Sequence, residues 1–352
     1  GCVRVVWNDA LAICKQSEQF PSNNDLQRVV ITKAKKTTER PWLASVSNIP
    51  LQQSVADLGI AYKNFFDSLK GKRKGKKVGT PKFKKKLGKQ SARFRIGGFS
   101  IKGDSVYLAK IGNISPVWSR ELPSSPSSVT VVKDAANRYF LSFVVEIEPV
   151  QVEAKNHSIG IDLGIKTFAA MSNGEMLNSP NYSQLDKRLR RKQRQLARQS
   201  KGSKRREKTR LQIAKLHNEI ADTRKDFLHK LSTRVVNENQ VITLEDLNVS
   251  GMVKNRRLAR AISMQGWREF RVLCEAKSEK LVRKFVVISR WEPTSQICSD
   301  CGYKWGQLDL SIRSVLCISC GSEHDRDENA AKNINKVGIG HCHDSKRTRI
   351  DR

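Results

Sequence analysis

The sequence lacks the features of a membrane-spanning or exported protein. Its 352 residues contain no apolar run of about 18 residues, the length that predicts a membrane span. No signal peptide is visible, although the chain begins at Gly1 rather than at a methionine and could be cut at this end. Both absences predict a cytoplasmic protein without a membrane partner.

Acidic side chains are scarce relative to basic ones. The chain has 34 Asp and Glu residues against 66 Lys and Arg residues, a formal net charge of +32 at pH 7. Because a chain this basic repels itself, its working state is expected to include a polyanion. Hydrophobic residues still make up 38% of the sequence, which is enough for folding and excludes a disordered basic tail.

Cysteine is infrequent, and its distribution does not predict disulfides. Four of the eight cysteines are scattered, which fits a reducing compartment. The other four form two C-x-x-C pairs with fifteen residues between them. This spacing predicts a structural Zn²⁺ site of the ribbon type, with free thiols in a loop as the alternative. The four predicted ligands are Cys298, Cys301, Cys317 and Cys320.

Three histidines lie near the cysteine block, namely His324, His341 and His343. Four thiolates already complete a tetrahedron. We therefore interpret the histidines as bystanders or as contacts with nucleic acid.

Residues 1–69 are predicted to be mostly helical. Apolar side chains recur at helical spacing within 3–16 and 51–66, which indicates the core-facing stripes of a helical bundle. The polar face of the second segment carries Gln52, Gln53 and Lys63, which are candidates for contact with DNA.

Residues 70–89 are rich in lysine, and their glycines and Pro81 exclude a regular helix. A solvated loop is one interpretation of this segment. The other is an arm that orders on a nucleic-acid backbone. The candidate contacts are Lys82, Lys84 and Lys85.

From residue 92 to 150 the apolar period changes to two, which predicts a small antiparallel sheet or barrel of at least four strands. Residues 183–237 then predict an antiparallel helical hairpin, broken at Gly202. The outer face of this hairpin is so basic that we expect nucleic acid to lie along it. The candidate contacts are Arg188, Arg191, Lys192 and Arg194.

Three carboxylates stand at the ends of predicted elements. Asp162 and Glu245 each end a short apolar strand, and Asp327 lies in the first turn of a helix after the cysteine block. Three such groups can hold two divalent cations on either side of a phosphodiester. Hard oxygen ligands favour Mg²⁺ or Mn²⁺. The alternatives are three unrelated surface acids or, for Asp162 alone, a turn or the phosphate loop of an actin-like ATPase.

The motifs GIDLGIKTFA, ITLEDLNVSGM and TSQICSDCG…CISCG…DRDENAAKNI resemble the TnpB family in order and separation. TnpB proteins are RNA-guided endonucleases of bacterial insertion sequences, related to type V CRISPR effectors. The segments PWLASVSNIPLQQSVADLGIAYKNFF and GTPKFKKK resemble the amino-terminal half of that family. The resemblance implies that Asp162, Glu245 and Asp327 are the catalytic residues of a RuvC-like nuclease that uses Mg²⁺ or Mn²⁺. It implies that the four cysteines hold the zinc of a target-strand-binding module.

Some positions depart from the family pattern. Gln53 falls near the position that reads the short DNA motif beside the target, but the preceding residues 48–50 differ from that pattern. Met264 stands where the family commonly has Asp, and the first strand of the wedge domain is not found before Gly1.

The fold class expected from the resemblance is α+β and multidomain, with an RNase H-like (RuvC) core, an inserted zinc ribbon, a β-barrel wedge domain and a helical recognition domain. The expected boundaries are 1–8 for a wedge remnant, 9–90 for the recognition domain with its basic loop, 91–153 for the wedge domain, 154–290 for the core with its helical hairpin, 291–322 for the zinc ribbon, and 323–352 for the rest of the core and the tail.

The expected function is RNA-guided cleavage of DNA next to a short transposon-associated motif, by two-metal hydrolysis of the phosphodiester. The expected partners are a long structured guide RNA and target double-stranded DNA. The expected location is the cytoplasm of a prokaryote. The alternatives are a nuclease-inactive, RNA-guided repressor and an RNase H-like DNA transposase.

Overall fold

A computed structural model describes residues 1–347 except 74, 87 and 310, with side chains described only as far as residue 340. The chain divides into two compact units, Gly1–Ile147 and Glu148–Arg352. Within the described residues, no helix is both long enough and apolar enough to cross a membrane. The predicted tail after residue 347, and the side chains of His341 and His343, lie outside the described residues.

The first unit begins with helices. They are α1 (Cys2–Gln16), α2 (Asn23–Gln27) and α3 (Asn48–Leu69), with a π-helical turn and two 3₁₀ turns between α2 and α3. Ser47 caps α3, and Pro50 is tolerated in its first turn because no intrahelical N–H bond is required there. Apolar side chains of α1, α2 and α3 form one buried cluster, as the helical spacing predicts.

Helix α1 runs without a break across residue 8, where a boundary between wedge remnant and recognition domain was predicted. Val6 and Trp7 precede this boundary, Ala10 and Leu11 follow it, and all four belong to the same buried cluster. Residues 1–8 therefore belong structurally to the helices.

Six strands follow, arranged in two three-stranded antiparallel sheets of order β1-β5-β6 and β2-β3-β4. The strands are β1 (Gln90–Arg95), β2 (Phe99–Lys102), β3 (Ser105–Leu108), β4 (Gly112–Ile114), β5 (Ser128–Lys133) and β6 (Tyr139–Val144). Phe94 and Val129 of one sheet share a core with Val106 and Leu108 of the other. The prediction of at least four antiparallel strands is confirmed.

The second unit is built on a five-stranded sheet of order β11-β10-β7-β8-β9. The strands are β7 (Asn156–Leu163), β8 (Ala169–Met171), β9 (Met176–Leu177), β10 (Asn239–Glu245) and β11 (Lys284–Ile288). Strands β7, β8 and β9 pair antiparallel, whereas β10 lies parallel to both β7 and β11. The overall architecture is α+β and multidomain, as predicted.

The helices of this unit are α4 (Ser183–Ala197), α5 (Lys204–Glu238), α6 (Val249–Met252), α7 (Ala259–Gln265), α8 (Trp267–Lys280) and α9 (Arg326–Arg347). A short hairpin of β12 (Ser314–Leu316) and β13 (Glu323–Asp325) precedes α9. Alternate residues of β7 and β10, such as Ile159, Ile161 and Ile242, pack with α5 and α8 in the main core. The intervening residues face α9.

Helix α9 packs very closely on the sheet, and glycine occupies two positions of the contact, where a larger residue would collide with the opposite element. A Cβ atom at Gly160 would lie closer than 3.0 Å to the backbone of Ala331 and Asn335. A Cβ atom at Gly338 would collide with the buried side chain of Thr243. Since Gly160 and Thr243 are paired across β7 and β10, the helix lies directly over the two central strands.

This close contact predicts opposite effects for two glycines of α9. Gly338→Ala should destabilise the fold by about 1–3 kcal/mol, because the added methyl group overpacks the contact with Thr243. Gly340→Ala should leave stability unchanged or raise it by up to about 1 kcal/mol, because that position is open and alanine favours helix. Denaturant unfolding of both variants measures the difference. Equal effects of the two substitutions would contradict the close packing.

Candidate catalytic and metal sites

Strand register brings Asp162 and Glu245 to the same place. Gly160 pairs with Thr243, and both face α9. Asp162 and Glu245 each lie two residues further along their parallel strands, so their side chains point to the same face of the sheet. The two carboxylates therefore lie on the same face at the carboxyl end of the central strands, close enough for the charge of Glu245 to raise the pKa of Asp162.

Helix α9 brings the third carboxylate to this end. It runs antiparallel to β7, since Asn335 donates to Ser158 Oγ (3.1 Å) and Ala331 lies over Gly160. One step of four helical residues spans about 6 Å, and one step of two strand residues spans about 6.6 Å. The next step along both elements therefore places Asp327 over Asp162. The start of α9 is fixed by Asp325, whose Oδ1 accepts from the amides of Asp327 (2.9 Å) and Glu328 (3.0 Å).

The negative charges of Asp327 and Glu245 disfavour ionisation of Asp162. Burial raises the pKa of Asp162, and the negative charges of Asp327 and Glu245 add to the rise. The Leu163 amide and Arg326 lower it, and the net result is a pKa of about 7. Burial also raises the pKa of Glu245, while Arg290 lowers it. The arrangement is thus a site of uncompensated negative charge, which cations bound between the carboxylates would neutralise.

The acidic cluster is more open than a closed metal cage. Within the described part of the chain, only the four cysteines form a group of three or more metal-type ligand atoms that all lie within 4.8 Å of one another. A cavity of about 390 Å³ lies beside the cluster, lined by Asp162, Asp327, Thr167 and Arg313 among others. Cations could enter from this side.

Arg313 is a member of the site that the sequence did not indicate. Its Nη1 lies 3.4 Å from both carboxylate oxygens of Asp327. It directly precedes β12, and the hairpin of β12 and β13 returns the chain to α9, so the contact depends on strand pairing. In the sequence Arg313 is one of 66 basic residues, and nothing in its neighbours distinguishes it from the others.

The four cysteines lie in two turns of the same construction. Cys298 N–H donates to the Tyr303 carbonyl (2.9 Å), and Cys317 N–H donates to the Ser322 carbonyl (2.8 Å). Each turn closes on a glycine with positive φ, Gly302 at 78° or Gly321 at 73°, a conformation that glycine adopts without strain.

The sulfur positions fit a tetrahedral zinc ion. Sγ of Cys298 lies 3.8 Å from Sγ of Cys320, and Sγ of Cys301 lies 3.6 Å from Sγ of Cys317. A Zn–S bond of about 2.3 Å in a tetrahedron requires sulfurs about 3.8 Å apart. The donor set and its spacing therefore suit zinc.

The sequence indicated that His324 is a bystander or a nucleic-acid contact, but the structure places it against the cysteine site. Its side chain is 6% exposed, and its Nε2 lies 3.1 Å from Sγ of Cys298. A ring nitrogen that donates to a metal-bound thiolate orients that ligand. His324 is therefore part of the cysteine site.

Comparison with known proteins identifies the family. A protein of Streptomyces pristinaespiralis designated an RNA-guided DNA endonuclease is 40% identical over 347 residues, which cover 96% of this chain and 84% of the relative. The InsQ protein of Escherichia coli, with the same designation, is 32% identical over 368 residues, covering 97% and 87%. A mimivirus protein designated TnpB-like is 28% identical over 241 residues, covering 63% and 45%.

The chain belongs to the TnpB family of RNA-guided DNA endonucleases.

Family models and a solved structure agree with this assignment. Residues 142–256 match a model described as a probable transposase, and residues 267–334 match the TNB domain of Cas12f1-like proteins. The fold resembles that of Cas12f1 in a cryo-EM complex with its guide RNA and target DNA. The TM-score is 0.51 at 14% identity, covering 95% of this chain and 78% of Cas12f1. At this identity the likeness shows the fold alone.

In this TnpB chain, Gln53, a predicted nucleic-acid contact of the first unit, has a protein partner of its own. Gln53 is 7% exposed, and its Nε2 donates to Oδ1 of Asp57 (2.9 Å). Arg93 pairs with the same carboxylate oxygen at 3.4 Å. A contact between Gln53 and a base would have to replace this hydrogen bond, so its role remains a prediction.

The lysine-rich segment docks on helix α1. Trp7 Nε1 donates to the carbonyl of Lys82 (3.1 Å), and Asn8 exchanges two hydrogen bonds with the backbone of Lys84. The Lys84 ammonium stands 3.7 Å from the centre of the Trp7 ring, and burial lowers the pKa of Lys84. Lys82 and Lys85 remain exposed and available to a polyanion.

The helical hairpin forms as predicted from α4 and α5, around Leu189, Leu216 and Ile220. Met264 packs against this cluster, which accounts for an apolar side chain at that position. On the outer surface, Arg191 and Arg194 line an open cavity together with Arg198, Gln195 and Gln199. Arg188 is also exposed, and Lys192 donates to Gln195 (3.2 Å).

The electrostatics of the acidic cluster predict that Asp162→Asn stabilises the protein at pH 8 in buffer without Mg²⁺ or Mn²⁺. Because the pKa of Asp162 is raised to about 7, the folded state binds a proton more tightly than the unfolded chain does. Its stability therefore falls as the pH rises from about 4 to 7. The Asn variant has no proton to lose, so its stability should not fall in this way. Its gain in stability over the wild type should therefore be smaller at pH 5 than at pH 8. Thermal unfolding at both pH values measures it.

Asp246→Asn is the matched control. Hydrogen bonds from Arg290 and Arg271 lower the pKa of Asp246, so its charge stabilises the fold at pH 8 and the substitution should destabilise it. Destabilisation by both substitutions would contradict the uncompensated charge at Asp162.

The cysteine geometry predicts about one zinc ion per chain in protein purified without chelators. Cys317→Ser should lower the zinc content, because three thiolates bind more weakly than four. Cys2→Ser, a substitution outside the cluster, should leave the content unchanged. Elemental analysis provides the measurement. A wild-type protein without zinc would exclude a resident zinc site.

Proposed function

We propose that this protein is a guide-RNA-dependent DNA endonuclease whose single nuclease site is formed by Asp162, Glu245 and Asp327. The observation that supports the proposal is the pairing of β7 with β10, which sets Asp162 and Glu245 on one face at one end of the sheet, together with the negative charges of Asp327 and Glu245, which help to raise the pKa of Asp162 to about 7. Family membership supports the reaction class.

The sheet supports a RuvC-like core of the RNase H type. Its antiparallel part, β7 to β9, continues into the parallel strands β10 and β11, and helices cover both faces. Asp162, Glu245 and Asp327 lie at one end of this core. We assign the core to residues 154–290 and to the described part of 323–352, which the sequence predicts to end in a tail, and the zinc-holding ribbon to residues 291–322.

The chemistry requires divalent cations, Mg²⁺ or Mn²⁺, which would lower the pKa of an attacking water and stabilise the leaving 3′ oxygen. The protein would supply the ligands from Asp162, Glu245 and Asp327. Arg313 pairs with Asp327 in the structure and would be available to a DNA phosphate if Asp327 bound a cation instead. The raised pKa of Asp162 predicts that cation binding weakens below pH 7, where the carboxyl group holds its proton.

The partners are a long structured guide RNA and target double-stranded DNA, which is selected next to a short transposon-associated motif. The net charge of +32 offsets the repulsion between a polyanion and the acidic site. The exposed arginines of α4 and the exposed lysines of residues 82–85 are the proposed contacts with phosphates. Base pairing with the guide would select the sequence, and the protein would hold the heteroduplex by its backbone.

A DNA transposase with the same kind of acidic site is a second candidate, favoured by the transposase model that matches residues 142–256. Strand-transfer products formed from transposon ends without RNA would support it. Sequencing of the RNA that co-purifies with the protein separates the candidates, since the guided nuclease predicts one discrete long species.

The proposal predicts that Asp162→Ala, Glu245→Ala and Asp327→Ala each abolish cleavage of a matched DNA target. Guide-programmed DNA binding should remain nearly intact, because these residues contact cations rather than the guide. Cleavage and binding are measured on the same purified complexes with Mg²⁺.

Asp226→Ala removes an exposed carboxylate that pairs with Lys230 on its own helix, and this variant should cut normally. Full cleavage by any of the three site variants would refute the assignment. If the wild-type complex binds its target but never cuts it, the protein is an RNA-guided binding protein instead.

A further inference from the structure

Helix α9 contacts both candidate metal sites. Asp327, in the first turn of the helix, is one of the three residues of the acidic cluster. Asn329, Asn333 and Lys336 recur at spacings of four and three residues and therefore share another side of the helix. That side contacts the backbone of residues 294–299, which leads into the first cysteine turn.

Asn329 binds the backbone on both sides of Cys298. Its Oδ1 accepts from the amide of Ser299 (2.7 Å), and its Nδ2 donates to the carbonyl of Ile297 (2.8 Å). The Asn329 side chain is 1% exposed. Loss of either bond would leave a buried polar group unpaired, so breaking this connection costs free energy.

Asn333 and Lys336 extend the same contact. Nδ2 of Asn333 donates to the carbonyls of Thr294 (2.8 Å) and Ile297 (2.7 Å). The Lys336 ammonium donates to the carbonyl of Ser299. Three side chains of one helix are thus hydrogen-bonded to the backbone that leads into the turn with the first two cysteines.

The second cysteine pair is also tied to the start of α9. Cys317 and Cys320 lie in the loop between β12 and β13, and β13 continues directly into the helix. The amide of Arg326 donates to the carbonyl of Arg313 (2.8 Å), whose side chain pairs with Asp327. Both halves of the cysteine site therefore hold the helical turn that carries Asp327.

We propose that Asn329 is a positioning residue that couples the two metal sites, so that zinc at the four cysteines raises the affinity of the acidic site for divalent cations. Zinc fixes the turn at residues 298–301, Asn329 transmits its position to α9, and the helix holds Asp327 beside Asp162. By linkage, a cation at the acidic site strengthens zinc binding by the same factor. The inference rests on the proposed function, because it takes the acidic cluster to be a cation site.

The test measures Mn²⁺ affinity of the full chain without RNA, from the electron paramagnetic resonance signal of free Mn²⁺. Zinc-loaded and zinc-depleted forms are compared for each variant, after circular dichroism has shown that both are folded. In the wild type, zinc should tighten Mn²⁺ binding by about 5–150-fold, the usual range for coupled sites. In Asn329→Ser this ratio should fall close to one.

Asn335→Ser is the matched control. It changes the same residue type on the same helix but removes the bond to Ser158 on the sheet, not a bond to the cysteine turn. Whatever it does to stability or to absolute Mn²⁺ affinity, the zinc-dependent ratio should stay at the wild-type value. A purely structural role of Asn329 would instead lower stability and leave its ratio unchanged.

A reciprocal measurement covers the case in which the zinc-depleted form unfolds. Zinc affinity is measured by competition with a zinc-selective chelator, with and without saturating Mn²⁺. Mn²⁺ should strengthen zinc binding by the same factor in the wild type and have no effect in Asn329→Ser.

The outcomes distinguish the inference from the proposed function. If Asp162→Ala does not weaken Mn²⁺ binding, the acidic cluster is not the cation site, and the proposed function fails together with the coupling. If Mn²⁺ binds through Asp162 but zinc changes its affinity in neither direction, only the coupling is overturned. An unchanged ratio in Asn329→Ser would overturn the role of Asn329.

Discussion

The close contact between helix α9 and the central strands is the constraint on which both candidate sites depend. Gly160 and Gly338 allow the helix backbone to lie directly on β7 and β10, where any side chain would collide with the opposite element. This contact sets the register that carries Asp327 to Asp162. It also turns the other side of the helix, with Asn329 and Asn333, toward the first cysteine turn.

The electrostatics divide the molecule into a basic surface and a small acidic centre. A chain with a net charge of +32 attracts nucleic acid over a wide area, whereas the raised pKa of Asp162 marks one place where negative charge is concentrated without enough compensation. Arg313 and Arg326 moderate this charge from the protein side. Cations would complete the neutralisation and bring the phosphodiester to the same point.

Residues with a local signal in the sequence were predictable, and those whose role depends on long-range pairing were not. Asp162 and Glu245 follow short apolar strands, and the cysteines have a ligand spacing, so each could be selected from its neighbours alone. Arg313, His324 and Asn329 have no such signal. Their positions follow from the pairing of β12 with β13 and from the docking of α9, which join residues distant in the chain.

The sequence by itself determined the basic character, the alternation of helical and strand segments, the cysteine ligands and the family resemblance, because these depend on composition, period and short spacing. The tertiary structure decided how α9 brings Asp327 over the sheet, that Arg313 pairs with Asp327, and that Gln53 and Lys84 contact other parts of the protein. The reason is physical: register and close packing are set by contacts between distant elements, and a single segment carries no record of them.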